Sequence, residues 1–154
     1  MLVEDLMIKD VISVHENDSI EALIRTLIVH KIGSVPVLND QDKLAGFVTD
    51  GDILRAVSPM QQTIYDFYVM IVAVEAETPR DKVRDLLNEK VKDIMKKRNI
   101  QTVYVNKDVD AVLKILSHHH FKKLPVIDGE RHVVGIISRS NLIRYIGELA
   151  ISKK

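Results

Sequence analysis

Gly46-Phe47-Val48-Thr49-Asp50-Gly51-Asp52 is the stretch whose reading decides the fold. An apolar run ends in a hydroxyl residue, a carboxylate follows three positions later, and Ile53-Leu54-Arg55-Ala56-Val57 continues with helical character. The same arrangement returns as Gly135-Ile136-Ile137-Ser138-Arg139-Ser140-Asn141, followed by Leu142-Ile143-Arg144-Tyr145-Ile146. The offset is constant, since 135 − 46 = 89 and 138 − 49 = 89. The chain therefore reads as an internal duplication built around two strand-to-helix turns, each repeat burying its apolar face against its twin.

Working outward, Ser13-Val14 predicts a short strand and Ser19 a helix N-cap. Ile20, Leu23, Ile24, Leu27 and Ile28 follow the spacing of an amphipathic helix. Gly33 is the expected stop signal. Val35-Pro36-Val37-Leu38 reads as a buried strand with its proline at the start, and a polar connection leads into a second strand, Leu44 to Thr49. A helix follows from Asp50. Shifted by 89, Val103 takes the place of Val14, Asp108 that of Ser19, and His119 that of His30. Val109, Val112, Leu113 and Leu116 form the second helical stripe, Leu124-Pro125-Val126-Ile127 the proline strand, and Val133 to Ser138 its hairpin partner. The unit is strand, helix, strand, strand, helix, giving an α/β (α+β) fold of two small sheets with helices. The domain division expected is 1–57, a linker at 58–94 with helical segments, and 95–154 ending in a C-terminal helix. In the linker, the apolar run from Ile64 to Val72 predicts core packing over a dimer surface, and Thr78-Pro79 predicts a capped helix start.

A chain of 154 residues can bury a real core. Its formal net charge of zero disfavours general attraction to nucleic acid or anionic membrane, although Lys96-Lys97-Arg98 is locally basic. No cysteine is present, which removes disulfides and thiolate chemistry and fits a reducing, cytoplasmic setting. The longest apolar run is far short of the roughly 20 residues a membrane span requires, and the acidic N-terminus lacks signal-peptide features. His118-His119-His120 does not make a metal site, because adjacent histidines on a helix point in different directions. No phosphate-binding Gly-rich loop, zinc-protease motif or nucleophile elbow is present, so no catalytic residue is assigned.

Two units, each with an apolar-Pro-apolar strand and a Gly-x-x-(Thr/Ser)-x-x-(Asp/Asn) turn, resemble a tandem pair of CBS domains, a Bateman module. The resemblance runs from about Met7 to Val57 and from Met95 to Ile146. It implies a non-catalytic, stand-alone regulatory module whose pseudo-symmetric repeats pack through their sheets. It also implies an adenosine ligand, either AMP, ADP, ATP or S-adenosylmethionine, with no obligatory cofactor. The implied partners are a second copy in a homodimer and an unidentified regulated protein.

Residue by residue, the resemblance implies a primary cleft of Phe47, Thr49 and Asp52 with Thr102, Val103, Lys122, Lys123, Pro125 and Arg139. A second, weaker cleft would combine Ser13, Val14, Gly33, Ser34 and Pro36 with Ile136, Ser138 and Asn141. The chemistry suits a nucleoside. One carboxylate accepts charge-assisted hydrogen bonds from both ribose hydroxyls, and clustered cations suit a phosphate. Asn141 lacks that ionic assistance, and Asp50 adds negative charge near the second cleft. Against this, Thr-x-x-Asp before an apolar helix is also a capping box, and the two roles can be shared, with Asp52 left for ligand. Lys122-Lys123 also reads as a solvated loop pair. Rival functions are an interaction dimer with vestigial clefts and a nucleotide hydrolase; the latter lacks a clustered acid/base set.

Overall fold

The computed structural model describes residues 1–58, 79–118 and 120–152. The expectations for the apolar run at 64–72, for the Thr78 cap and for His119 lie outside these. In chain order the elements are α1 (Val3–Leu6), β1 (Val14–His15), α2 (Ile20–His30), β2 (Ser34–Leu38), β3 (Leu44–Thr49) and α3 (Asp50–Val57). Then come α4 (Pro79–Asn88), a 3-10 turn (Val91–Asp93), β4 (Val103–Tyr104), α5 (Val109–His118), β5 (Lys123–Ile127), β6 (Val133–Ser138) and α6 (Arg139–Ile151). Two three-stranded sheets result, ordered β1-β2-β3 and β4-β5-β6. The expected β-α-β-β-α unit occurs twice.

The chain divides into two compact units that do not follow the repeat boundaries. One comprises Val14–Val37 and Ala45–Lys97; the other comprises Met1–Ser13, Leu38–Leu44 and Arg98–Lys154. The leader of the first repeat thus belongs to the unit of the second, and the leader of the second to the unit of the first.

In the first-repeat unit, Ser19 Oγ accepts the Ala22 N–H at 3.1 Å, capping α2 as expected. Ile20, Leu23 and Leu27 face the core, whereas Ile28 is 69% exposed, so the buried stripe is narrower than the sequence spacing suggests. Gly33 does not stop the helix. Lys31 does, in the left-handed region at φ 53°, with the Ile32 N–H closing on the Leu27 carbonyl at 3.1 Å. Along β3 from Ala45, Gly46 and Val48 are buried and alternate with half-buried residues. Gly46 is glycine for a steric reason: a Cβ there would strike Met95 Sδ and come within 2.8 Å of the Lys96 carbonyl oxygen. Phe47 and Lys96 exchange both backbone hydrogen bonds, at 3.0 and 2.9 Å, so the leader of the second repeat edges this strand.

The second-repeat unit repeats the plan. Its core gathers Val3, Val103, Val109, Val112, Leu116, Leu124, Val126, Ile137 and Leu142; Leu113, expected in the stripe, is 41% exposed. Val3 enters this core from the N-terminal leader, and its N–H donates to the Lys107 carbonyl at 2.8 Å. Asp108 Oδ1 accepts the Asp110 N–H at 3.0 Å, in the expected capping place. β4 pairs parallel to β5, and β5 antiparallel to β6 with Pro125 opposite Ile136. The proline sits in the middle of its strand, not at its start. It is tolerated because Ile136 turns both backbone groups the other way, exchanging hydrogen bonds of 2.8 and 2.9 Å with Ile8. No ladder bond is asked of the missing proline N–H.

Candidate functional site

Each repeat places its polar residues where the last strand turns into the last helix. At the first turn, Thr49 Oγ1 accepts the Asp52 N–H at 3.2 Å and Asp52 Oδ2 accepts the Thr49 N–H at 2.9 Å, a complete capping box. Asp52 Oδ1 accepts from the Arg55 guanidinium at 2.7 Å. The division of roles that left Asp52 free of capping is therefore corrected. Both oxygens are engaged within the helix, although a carboxylate retains further acceptor positions. Asp52 keeps 18% of its side chain exposed. The Asp52–Arg55 pair was readable as an i, i+3 opposite-charge spacing, but its interest emerges only with the box.

At the second turn, Asn141 Oδ1 accepts the Ser138 N–H at 2.9 Å and the Ser138 hydroxyl at 2.6 Å. Ser138 Oγ lies 2.8 Å from Ser140 Oγ. Asn141 is only 3% exposed. Its amide closes the box as Asp52 does, without a charge.

Behind each turn stands the segment that opens the proline strand. The Asp50 N–H donates to the Gly33 carbonyl at 2.7 Å, and the Arg139 N–H to the Lys122 carbonyl at 3.0 Å. In the second-repeat unit this brings Lys122 and Arg139 together, with Lys123 opposite Ser138 in the β5–β6 register. Pro125 and Ile136 are the next pair but one along the ladder. Ser13, Thr102 and Val103 belong to the same unit; Ser13 and Thr102 are half-buried, while Val103 is core. The first-repeat unit holds Val14, Ser34, Pro36, Phe47, Thr49 and Asp52. Of these Val14, Ser34 and Pro36 are buried and the rest half-buried.

Three features escaped the sequence reading. The Gly33–Asp50 and Lys122–Arg139 junctions are equivalent, which the offset of 89 could have shown. The Ser140 hydroxyl joins the second turn. At the hairpin tip, Asp128 accepts the N–H groups of Glu130 and His132, each at 2.9 Å, and its Oδ2 lies 3.1 Å from His132 Nδ1. Desolvation pushes the Asp128 carboxyl upward, but the His132 and Glu130 backbone donors and the His132 ring outweigh it and hold it below its ordinary value. His118 Nδ1 lies 3.0 Å from the Lys114 carbonyl oxygen, and the described residues hold no cluster of three metal-ligating side chains. No helix among them is long and apolar enough to cross a membrane.

Comparison with known proteins fits this duplicated geometry. The family model described as CBS domain matches residues 3–59 and 91–148. An uncharacterised protein of Methanocaldococcus jannaschii, MJ1426, is 28% identical over 152 residues, which cover 93% of this chain and 89% of that one. Relatives that carry enzyme names are far longer, and the match spans only 22–25% of their length. Among solved structures, the CBS domain pair of protein MJ0100, in complex with 5′-methylthioadenosine and S-adenosyl-L-methionine, is 27% identical. Its TM-score is 0.68, with 96% of this chain and 97% of that chain covered. CBSX2 in complex with AMP shares the fold at a TM-score of 0.72 and 20% identity, covering 97% and 98%.

Proposed function

Because the chain belongs to the CBS-domain family, with both repeats matched, we propose that it is a regulatory module binding an adenosine-containing ligand, first of the AMP, ADP or ATP class. The observation that supports this reading is the Thr49–Asp52 turn of the first repeat; in the second repeat the Arg139 N–H on the Lys122 carbonyl holds two basic residues at one junction, with Lys123 next in the chain. In this reading Asp52 accepts from the ribose hydroxyls with its remaining lone pairs, and Thr49 adds a hydroxyl contact. Phe47, Thr102, Val103 and Pro125 line the nucleoside, and the three cations meet the phosphate. The weaker second set is Ser13, Val14, Ser34 and Pro36 with Ile136, Ser138 and Asn141. Ligand shifts the balance between two states of the module by no more than its differential affinity for them.

Titration calorimetry tests this. Removing a charge-assisted hydrogen bond costs about 1.5–3 kcal/mol, so Asp52→Ala should weaken AMP by roughly 10-fold or more, with Asn141→Ala doing less. No affinity for AMP, ADP, ATP or S-adenosylmethionine at millimolar ligand would overturn the proposal.

A second ligand, S-adenosylmethionine or its methylthio product, is favoured by the likeness to MJ0100 over nearly the whole of both chains. The module is also proposed to be a homodimer acting on an unidentified protein in the cytoplasm. Apolar side chains on α2, α3 and α6 support the dimer: Leu54 and Ile143, equivalent because 143 − 54 = 89, are 68% and 69% exposed. Light scattering at micromolar concentration checks it.

A further inference from the structure

Asp50 and Arg139 stand at the same place in the two repeats, as do Gly33 and Lys122, since 139 − 50 = 89 and 122 − 33 = 89. The backbone joins each pair alike, through N–H···O bonds of 2.7 and 3.0 Å. The side chains reverse the charge. The second repeat carries Lys122, Lys123 and Arg139 at this junction; the first carries Gly33, Ser34 and Asp50. The Asp50 carboxylate lies on the face of Gly33. Its Oδ2 stands 2.8 Å from the point a Cβ on residue 33 would occupy, and its Oδ1 accepts the Gly51 N–H at 2.7 Å. A carboxylate thus covers the position that bears a lysine in the other repeat. Over a few ångströms, exchanging a cation for a carboxylate turns attraction for a phosphate into repulsion.

We infer that Asp50 is a specificity-determining residue: the Gly33–Asp50 junction takes an adenosine ligand whose 5′ substituent is neutral or cationic, the sulfonium class, while the Lys122–Arg139 junction takes the phosphorylated one. The inference rests on the adenosine reading above and assigns each junction its own ligand charge. Asp52 is not the discriminating group, because its outer oxygen already meets Arg55 at 2.7 Å.

The test is calorimetry on the full chain with S-adenosylmethionine, with 5′-methylthioadenosine as its uncharged counterpart, and with AMP. Asp50→Asn should weaken S-adenosylmethionine about fivefold and leave methylthioadenosine within about twofold, the scale of one partly exposed charge pair. Asp50→Lys should add a second equivalent of AMP. Gly33→Ala retains the charge but displaces the carboxylate, and should mimic Asp50→Asn without its change in net charge. Melting temperatures check that each variant is folded, and Gly33→Ala carries the test if Asp50→Asn is not. Equal losses for both sulfur ligands, no loss for either, or no added AMP equivalent would overturn the inference while wild-type binding left the adenosine reading standing. Failure of the wild type to bind all three ligands would overturn both.

Discussion

The two strand-to-helix turns share a backbone and differ in almost every charge. Thr49 with Asp52 and Ser138 with Asn141 close the same capping box. Yet one box ends in a carboxylate paired with Arg55 and the other in a neutral amide that is almost wholly buried. Behind them stand Asp50 over Gly33 in one repeat and Arg139 beside Lys122 in the other. The lesson is that the box is architecture and the charges around it are free to diverge. Whatever is conserved between the repeats builds the turn; whatever differs is where ligand choice can be written.

The largest effect expected from probing this comparison lies in the exchanged leaders. Val3 and Val91 are both 0% exposed, one in each unit, and each belongs to the leader that precedes the other repeat. Val3→Asp buries an unpaired charge and should cost roughly 4 kcal/mol or more; Val91→Asp should cost about the same. Denaturant unfolding reads both. If Val3→Asp were tolerated, the N-terminal leader would not be part of the second repeat's core.

A smaller asymmetry is expected at the strand glycines. A Cβ on Gly46 meets a backbone oxygen at 2.8 Å, whereas on Gly135 the nearest backbone oxygen, of Ile8, is 3.2 Å away. Methionine side chains can swing aside; backbone cannot as readily. Gly46→Ala should therefore fall toward the upper end of the roughly 1–3 kcal/mol typical of overpacking, and Gly135→Ala toward the lower. Equal melting temperatures for the two variants would remove this difference between the repeats.

Next come the caps. Thr49→Ala and Ser138→Ala should each cost about 0.5–2 kcal/mol, with Ser138→Ala the more costly because it also removes one of the two donors to the almost fully buried Asn141 oxygen. Thermal unfolding decides the order.

The duplication, the hairpins and the caps were legible because they are local: spacing, turn chemistry and capping residues act over a few positions. Three things were not. The stop at Lys31 uses a non-glycine residue in the left-handed region, which residue type does not announce. The mid-strand Pro125 is tolerated because Ile136 opposite it bonds to Ile8 instead, more than 100 positions away in the chain from Pro125, and no local rule carries that information. The exchange of leaders is likewise a long-range choice. At the site, the residue types were readable and the junctions Gly33–Asp50 and Lys122–Arg139 were not, because each joins two segments that the sequence separates by a full hairpin.

The smallest effect is at the hairpin tips, where the comparison supplies its own control. Asn39 and Asp128 are equivalent, since 128 − 39 = 89. Asn39 Oδ1 accepts the N–H groups of Gln41 and Lys43 at 2.9 and 3.1 Å, as Asp128 Oδ1 accepts those of Glu130 and His132. Only Asp128 also has a charged oxygen beside a histidine ring. Its folded pKa is lowered from 3.8, so the stability it adds is present above that value and is lost as pH falls through the folded one. Asp128→Asn preserves the turn, as Asn39 shows it can, and removes only this titrating part. The variant should melt slightly below wild type at pH 7, and the gap should close as acid protonates Asp128 in the wild type. Parallel melting curves from pH 7 to strongly acidic pH would mean that the carboxylate contributes nothing beyond the acceptor that an asparagine already provides.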